Sequence, residues 1–199
     1  MSDRRIVHMK KPKNLRAFFL AAAVVFAVAV IGTFLAPKII RTVELRFYPL
    51  EYSEYVDKYS EEFDVDKAVI YAVIKTESGF RPEVTSSAGA RGLMQMIEDA
   101  FYWSQQRYGT EELLDFDCAF DPQTNIKYGT YILKLLYDEF GENDLVFAAY
   151  HAGRGNVLAW LEDPAYSQDG VLTDIPADTK HYIHKVNQAL SMYYKLYDF

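Results

Sequence analysis

IYAVIKTESGFRPEVTSSAGARGLMQM, residues 70–96, is the stretch that decides how this chain is read. It opens as an apolar helical run and delivers one carboxylate, Glu77, to a Ser-Gly break. A Ser- and Gly-rich loop follows, and a second helical start is expected at Gly92-Leu93-Met94-Gln95. Val73 and Ile74 lie one turn before Glu77, so its anion is poorly solvated. Burial raises a carboxyl pKa and keeps the group protonated near neutral pH, where it can donate a proton. The hydroxyls of Ser86 and Ser87 and the amide of Gln95 are expected to orient that acid and a polar substrate.

At these residues the chain resembles the soluble-type lytic transglycosylases, the SLT domains of glycoside hydrolase family 23. Glu77-Ser78-Gly79-Phe80 is similar to the family's catalytic Glu-Ser motif. Ser86, nine residues on, and Gly89-Ala90-Arg91-Gly92-Leu93-Met94-Gln95 resemble its second motif at matching spacing. An isolated Glu-Ser pair carries no information; the two motifs at fixed spacing do.

The 199 residues suffice for one globular domain and a tail. Half of them are hydrophobic, with 16 Tyr, 13 Phe and 2 Trp, so a core can form with aromatic surface left for a ligand groove. The net charge of -7 is unevenly spread. From Phe47 onward 26 acidic residues face 12 basic ones, which argues against a nucleic-acid partner. Cys118 is the sole cysteine, so no intrachain disulfide forms, and its bland reading is a structural thiol.

Residues 17–36, AFFLAAAVVFAVAVIGTFLA, carry no charge. Twenty helical residues span about 30 Å, the thickness of a bilayer's hydrocarbon core. Arg4, Arg5, Lys10, Lys11, Lys13 and Arg16 precede the run. The positive-inside bias therefore predicts a basic cytoplasmic tail over 1–16, a transmembrane anchor over 17–36 and a domain outside the cell membrane. A cleaved signal peptide is the rival reading, although its apolar region is normally shorter. Residues 37–49 are expected to form a juxtamembrane connector, extended near 39–43, ahead of a catalytic domain over 50–199.

In that domain Tyr52, Tyr55, Val56 and Tyr59 share one helical face. Asp64 is the expected N-cap of a helix over 66–78, with Val69, Ile70, Val73 and Ile74 as its buried stripe. Further helices are expected over 92–97, 99–108, 126–140, 145–150, 156–161 and 178–197, with an exposed loop over 162–175. No run alternates at period two. The fold class is thus all-α, a lysozyme-like helical domain behind one transmembrane helix.

Three later segments extend the resemblance, which covers roughly residues 53–195. Asp121-Pro122-Gln123-Thr124-Asn125-Ile126 with Gly129 is similar to a family stretch with a structural role, Asn125 capping a helix and Gly129 permitting close packing. Ala148-Ala149-Tyr150-His151-Ala152-Gly153 resembles the family's A-Y-N-A-G motif, which implies that Tyr150 lies in the groove near the acid. His151 stands where the family has Asn and reads as a substitution, not a second catalyst. Ile175-Pro176-Ala177-Asp178-Thr179-Lys180-His181-Tyr182 resembles I-P-x-E-T-x-x-Y, which implies that Tyr182 faces the groove and contacts sugar. Ile97-Glu98 departs from the family's Met-Pro and is expected to alter a subsite. The four histidines show no metal spacing, and neither metal nor cofactor is expected.

Ordinary glycosidases use two carboxylates. The resemblance supplies one, Glu77, and implies cleavage of the MurNAc–GlcNAc β-1,4 bond of peptidoglycan with 1,6-anhydromuramic acid ends. It implies substrate-binding roles for Ser86, Gln95, Tyr150 and Tyr182. The partners expected are glycan strands and, through the N-terminal helix, a membrane. Two alternatives stay open: a hydrolytic muramidase, with Asp174 or Asp178 as second acid, and a non-catalytic peptidoglycan-binding scaffold.

Overall fold

A computed structural model describes residues 15–199 and divides into two units, the boundary falling between Phe47 and Tyr48. The expected basic tail lies almost wholly outside the described residues. Helix α1, Leu15–Phe47, has 33 residues and includes Pro37. It is long and apolar enough to cross a membrane, and Phe18, Phe26 and Phe34 along it stand exposed. The extended connector near 39–43 is not found, because the helix continues to Phe47. Pro37 removes one backbone donor, and the helix-compatible residues on either side carry the run past it.

The second unit is built from α2 (Ser53–Phe63), α3 (Lys67–Glu77), α4 (Glu98–Tyr108), α5 (Pro122–Phe140), α6 (Asn143–Ala152), α7 (Arg154–Glu162) and α8 (Ala177–Leu196). A 3-10 turn, Phe116–Phe120, precedes α5. At its centre is α3, where the seven residues from Ala68 to Ile74 are all buried. A helix apolar on every side belongs inside a bundle. Each fully buried Ile or Val contributes roughly 1.5–3 kcal/mol. The helix packs along α8, which also receives α6; α2 and α6 lie on α5.

The N-cap of α3 is Asp66, whose carboxylate accepts from the Ala68 N–H at 2.7 Å. Asp64 instead ends α2 in the left-handed region at φ 52°. Only Asp66 immediately precedes the first helical residue, where a side-chain oxygen reaches an unpaired N–H. The expected exposed loop over 162–175 contains a small antiparallel hairpin, β1 (Ser167–Gln168) with β2 (Val171–Leu172). Its turn is Asp169-Gly170, both at positive φ, a turn signal flanked by too few residues to show alternation.

Residues 92–97 do not form the expected helix. They make a tight turn closed by bridges pairing Arg91 with Thr85 and Met96. The reason is tertiary. Asn125, buried in the first turn of α5, accepts from the Met94 N–H at 2.7 Å and donates to the carbonyls of Arg91 (3.0 Å) and Ala119 (2.6 Å). Its side chain holds the loop from behind, while Asp121 caps α5 by accepting from the Thr124 N–H. The expected capping role of Asn125 thus passes to Asp121.

Close approach is needed at two glycines. At Gly92, φ +79°, a Cβ would lie 2.1 Å from the Ala119 oxygen. At Gly129 of α5 it would lie 2.5 Å from Met94 Sδ and 3.0 Å from Met94 Cβ, which is the close packing expected of this residue. Gly129→Ala should therefore push Met94 out of place and cost about 1–3 kcal/mol, read as a lowered midpoint in urea unfolding followed by fluorescence.

Candidate active site

Glu77 is the last residue of α3. Beyond it the chain turns sharply: Gly79 and Phe80 both take positive φ, 59° and 68°. Left-handed backbone is unusual for a bulky residue. Burial of the Phe80 ring, 6.4 Å from the Tyr71 ring, holds it there. Arg81 adds a hydrogen bond from Nε to the Ser78 carbonyl at 2.8 Å. This break leaves the Glu77 carboxyl on the lining of a groove of about 1210 Å³.

One wall of the groove comes from α4, whose Asp99, Ala100, Trp103 and Arg107 fall on one helical face. Ile132, Leu135 and Leu136 of α5 supply apolar floor. The loop over 86–96 and the junction of α6 with α7 close the other sides. Arg154 forms a two-point ion pair with Glu139 along that rim, and Lys134 pairs with Asp138. Trp103, 46% exposed, and exposed Ile97 both line the groove, apolar surface of the kind that sugar rings cover. Its position could have been found in the sequence from the i, i+4 series 99, 103, 107.

Of the five residues singled out in the sequence, Glu77, Ser86, Gln95 and Tyr150 line this one groove. Ser86 does not bond to Glu77. Its Oγ accepts from the Ala90 N–H at 3.1 Å, and the two residues' backbones pair at 2.9 Å, so the hydroxyl shapes the loop. Ser87 is exposed and is not part of the groove lining. Gln95, at φ 49°, donates its amide to the carbonyls of Val84 (3.0 Å) and Gly92 (2.9 Å). With both amide hydrogens engaged, Oε1 is the atom left for a ligand donor. The Tyr150 hydroxyl donates to the Met94 carbonyl at 2.8 Å, tying α6 to the same loop.

Tyr182 does not occupy the sugar-facing position expected of it. It is 7% exposed, lies outside the groove lining and donates from its hydroxyl to Glu77 Oε1 at 2.7 Å. The hydrogen-bond partner of the Glu77 carboxyl is therefore Tyr182, not Ser86. A buried carboxylate needs a donor, and the α8 phenol is in reach because α3 and α8 pack side by side.

Burial pushes the Glu77 carboxyl up from 4.5 to about 7, and the Tyr182 hydrogen bond partly offsets it. Burial, with the Glu77 charge added, also raises the Tyr150 and Tyr182 phenols well above their ordinary value. Both phenols therefore stay protonated as donors. Asp174 and Asp178 lie outside the groove lining with side chains 85% and 77% exposed, and Asp174 pairs with Lys180. Among the described residues no group of three or more His, Cys, Asp or Glu side chains gathers to hold a metal.

The raised pKa makes folding stability depend on pH. Below 4.5 Glu77 is neutral in folded and unfolded chains alike. Above that the unfolded chain loses the proton while the folded chain keeps it, so the stability carried by this proton is lost as pH rises through about 7. The loss is on the order of 3 kcal/mol. Glu77→Gln should remove it, so that the variant's stability relative to wild type grows between pH 4.5 and pH 8 in urea unfolding.

Comparison with known proteins places this arrangement. The Transglycosylase SLT domain family matches residues 54–170. The soluble lytic murein transglycosylase of Escherichia coli (strain K12) is 32% identical over 154 residues, 75% of this chain and 24% of that protein. Membrane-bound lytic murein transglycosylase C of Cronobacter sakazakii is 28% identical over 189 residues, covering 78% of this chain and 52% of its own. The crystal structure of the 70 kDa soluble lytic transglycosylase from Escherichia coli superposes with a TM-score of 0.70 at 28% identity, over 78% of this chain and 26% of that one. This chain thus spans about a quarter of its soluble relatives and about half of the membrane-bound one. On the family match and the shared helical fold, the chain belongs to the transglycosylase SLT-domain family, within the lysozyme-like lytic murein transglycosylases.

Proposed function

We propose that the protein is a peptidoglycan lytic transglycosylase that cuts the MurNAc–GlcNAc β-1,4 bond and leaves 1,6-anhydromuramic acid ends. The observation that carries this reading is one half-buried carboxyl, Glu77, lining a large groove and hydrogen-bonded by Tyr182, with its pKa pushed up by burial. A general acid works best with a pKa close to the working pH. Glu77 protonates the glycosidic oxygen as the bond to the anomeric carbon breaks. The substrate's own 2-acetamido oxygen closes on that carbon. The Glu77 carboxylate then takes the C6 hydroxyl proton, the C6 oxygen displaces the acetamido oxygen, and the 1,6-anhydro ring closes. The proton returns to Glu77 and no water is consumed.

Tyr182 orients the carboxyl through both steps, donating to its charged form. Tyr150, Ser86 and Gln95 hold the sugar, with Trp103 and Ile97 as apolar rests for neighbouring rings. The other acids along the groove favour one-carboxylate chemistry over a muramidase pair. Asp138 and Glu139 are engaged in ion pairs, and Asp99 is solvent-exposed on α4.

The cellular role proposed is cell-wall remodelling from a membrane anchor. Residues 17–36 form the anchor, residues 1–16 stay in the cytoplasm, and the catalytic domain over 50–199 works on membrane-proximal glycan. The length and apolar character of α1 support this, and a signal sequence would share both. In cells the full-length mass, with the N-terminal residues retained, should stay in alkali-washed membranes; a shorter, released form would mean that the segment is cleaved.

Glu77→Gln should lower glycan release by at least about 10²–10⁴-fold with the helical content unchanged. The assay is muropeptide release from purified peptidoglycan, and an active Gln variant would remove Glu77 from its role.

A further inference from the structure

His151 lines the groove next to Tyr150, at a position where the family pattern has Asn. Its imidazole lies flat on the Tyr182 ring, with centroids 4.5 Å apart and planes inclined by 17°. Tyr182 carries the hydrogen bond to Glu77 at 2.7 Å. The stack thus lies between groove solvent and the phenol, and the phenol is 7% exposed although its partner opens onto the groove. Nε2 of His151 is 4.0 Å from Asp178 Oδ2, near the start of α8. The ring is therefore held from two sides, one face on Tyr182 and one edge toward a carboxylate. An asparagine at this position has no ring face to lay over the phenol.

We propose that His151 is a positioning residue whose ring covers Tyr182 and shields the Tyr182–Glu77 hydrogen bond from groove water. The proposal rests on the reading of Glu77 as the acid of the transglycosylase reaction. Solvent exclusion is what keeps a carboxyl protonated near neutrality, and at Glu77 it outweighs the Tyr182 hydrogen bond, which favours the charged form, so loss of the covering ring should let water reach the carboxyl and lower its pKa. The charged and titratable groups around His151 are Asp178 and Tyr182 from α8, Glu77 of α3 behind Tyr182, and Tyr150 on its own helix. Arg154 and Glu139, from α7 and α5, pair with each other along the same rim. The covering face, not the charge of the imidazole, is what does the work.

The test compares the full chain in detergent as wild type, His151→Ala, His151→Asn and His151→Phe. The Glu77 side-chain carboxyl is titrated by carbon NMR and assigned by its loss in Glu77→Gln. The Ala and Asn variants should titrate about one pH unit lower than wild type, a tenfold change in the equilibrium. The Phe variant, which keeps a flat ring and cannot ionise, should titrate with wild type. The alkaline limb of kcat/KM should follow the same order. An Ala variant that titrates with wild type, or a Phe variant that departs from it in either direction, overturns the proposal. The carboxyl titration needs no turnover. If wild type makes no anhydro product, the reaction assignment fails while the role of His151 is still decided.

Discussion

The hydrogen bond from the Tyr182 hydroxyl to Glu77 Oε1, 2.7 Å long, joins residues 105 positions apart and constrains the whole domain. A carboxyl removed from water is unstable as an anion unless a donor meets it. Here that donor can exist only because α3 and α8 lie side by side. The packing of α3 serves this geometry: its buried run from Ala68 to Ile74 fixes the helix, and Glu77 is the residue at its C-terminal end. The same burial that makes the residue costly to the fold above neutral pH makes it a usable acid near pH 7.

The groove is secured from behind as well. Asn125 meets three backbone groups, and Gly92 and Gly129 let loop and helix approach more closely than any Cβ would allow. Tyr150 reaches the same loop from the opposite side through the Met94 carbonyl. Loop 79–97 therefore has no regular secondary structure to hold it, yet buried polar contacts fasten it at several points. Such a loop holds Ser86 and Gln95 at fixed positions on the groove lining.

Much of this was legible in the residues. The apolar stripe of α3, Glu77 at its C-terminal end and the apolar N-terminal helix follow from pattern and spacing, and the close packing at Gly129 is implied by the family resemblance. The misreadings share a cause: long-range contacts override local signals. Leu93-Met94-Gln95-Met96 is apolar enough to pass for a helix, yet Gly92 and Gln95 take positive φ and the Arg91 carbonyl accepts from Met96 and Asn125, which closes a turn instead. Ser86, close in sequence to Glu77, was the natural candidate to orient it, whereas the true partner lies on the last helix. His151 looked like a bare substitution because stacking on Tyr182 appears only when α6 meets α8. Local chemistry can be read from a chain; which side chain meets which across the core cannot.

The most direct test of a one-carboxylate site is to digest purified peptidoglycan in ¹⁸O-labelled water and weigh the products. Ring closure by the substrate's own C6 hydroxyl leaves muropeptides one water lighter than hydrolytic ones, with no label at the new ends. That is the expected result. Reducing ends carrying ¹⁸O would show that water attacks the anomeric carbon, and would contradict the account of Glu77 as the sole carboxylate of a transglycosylase.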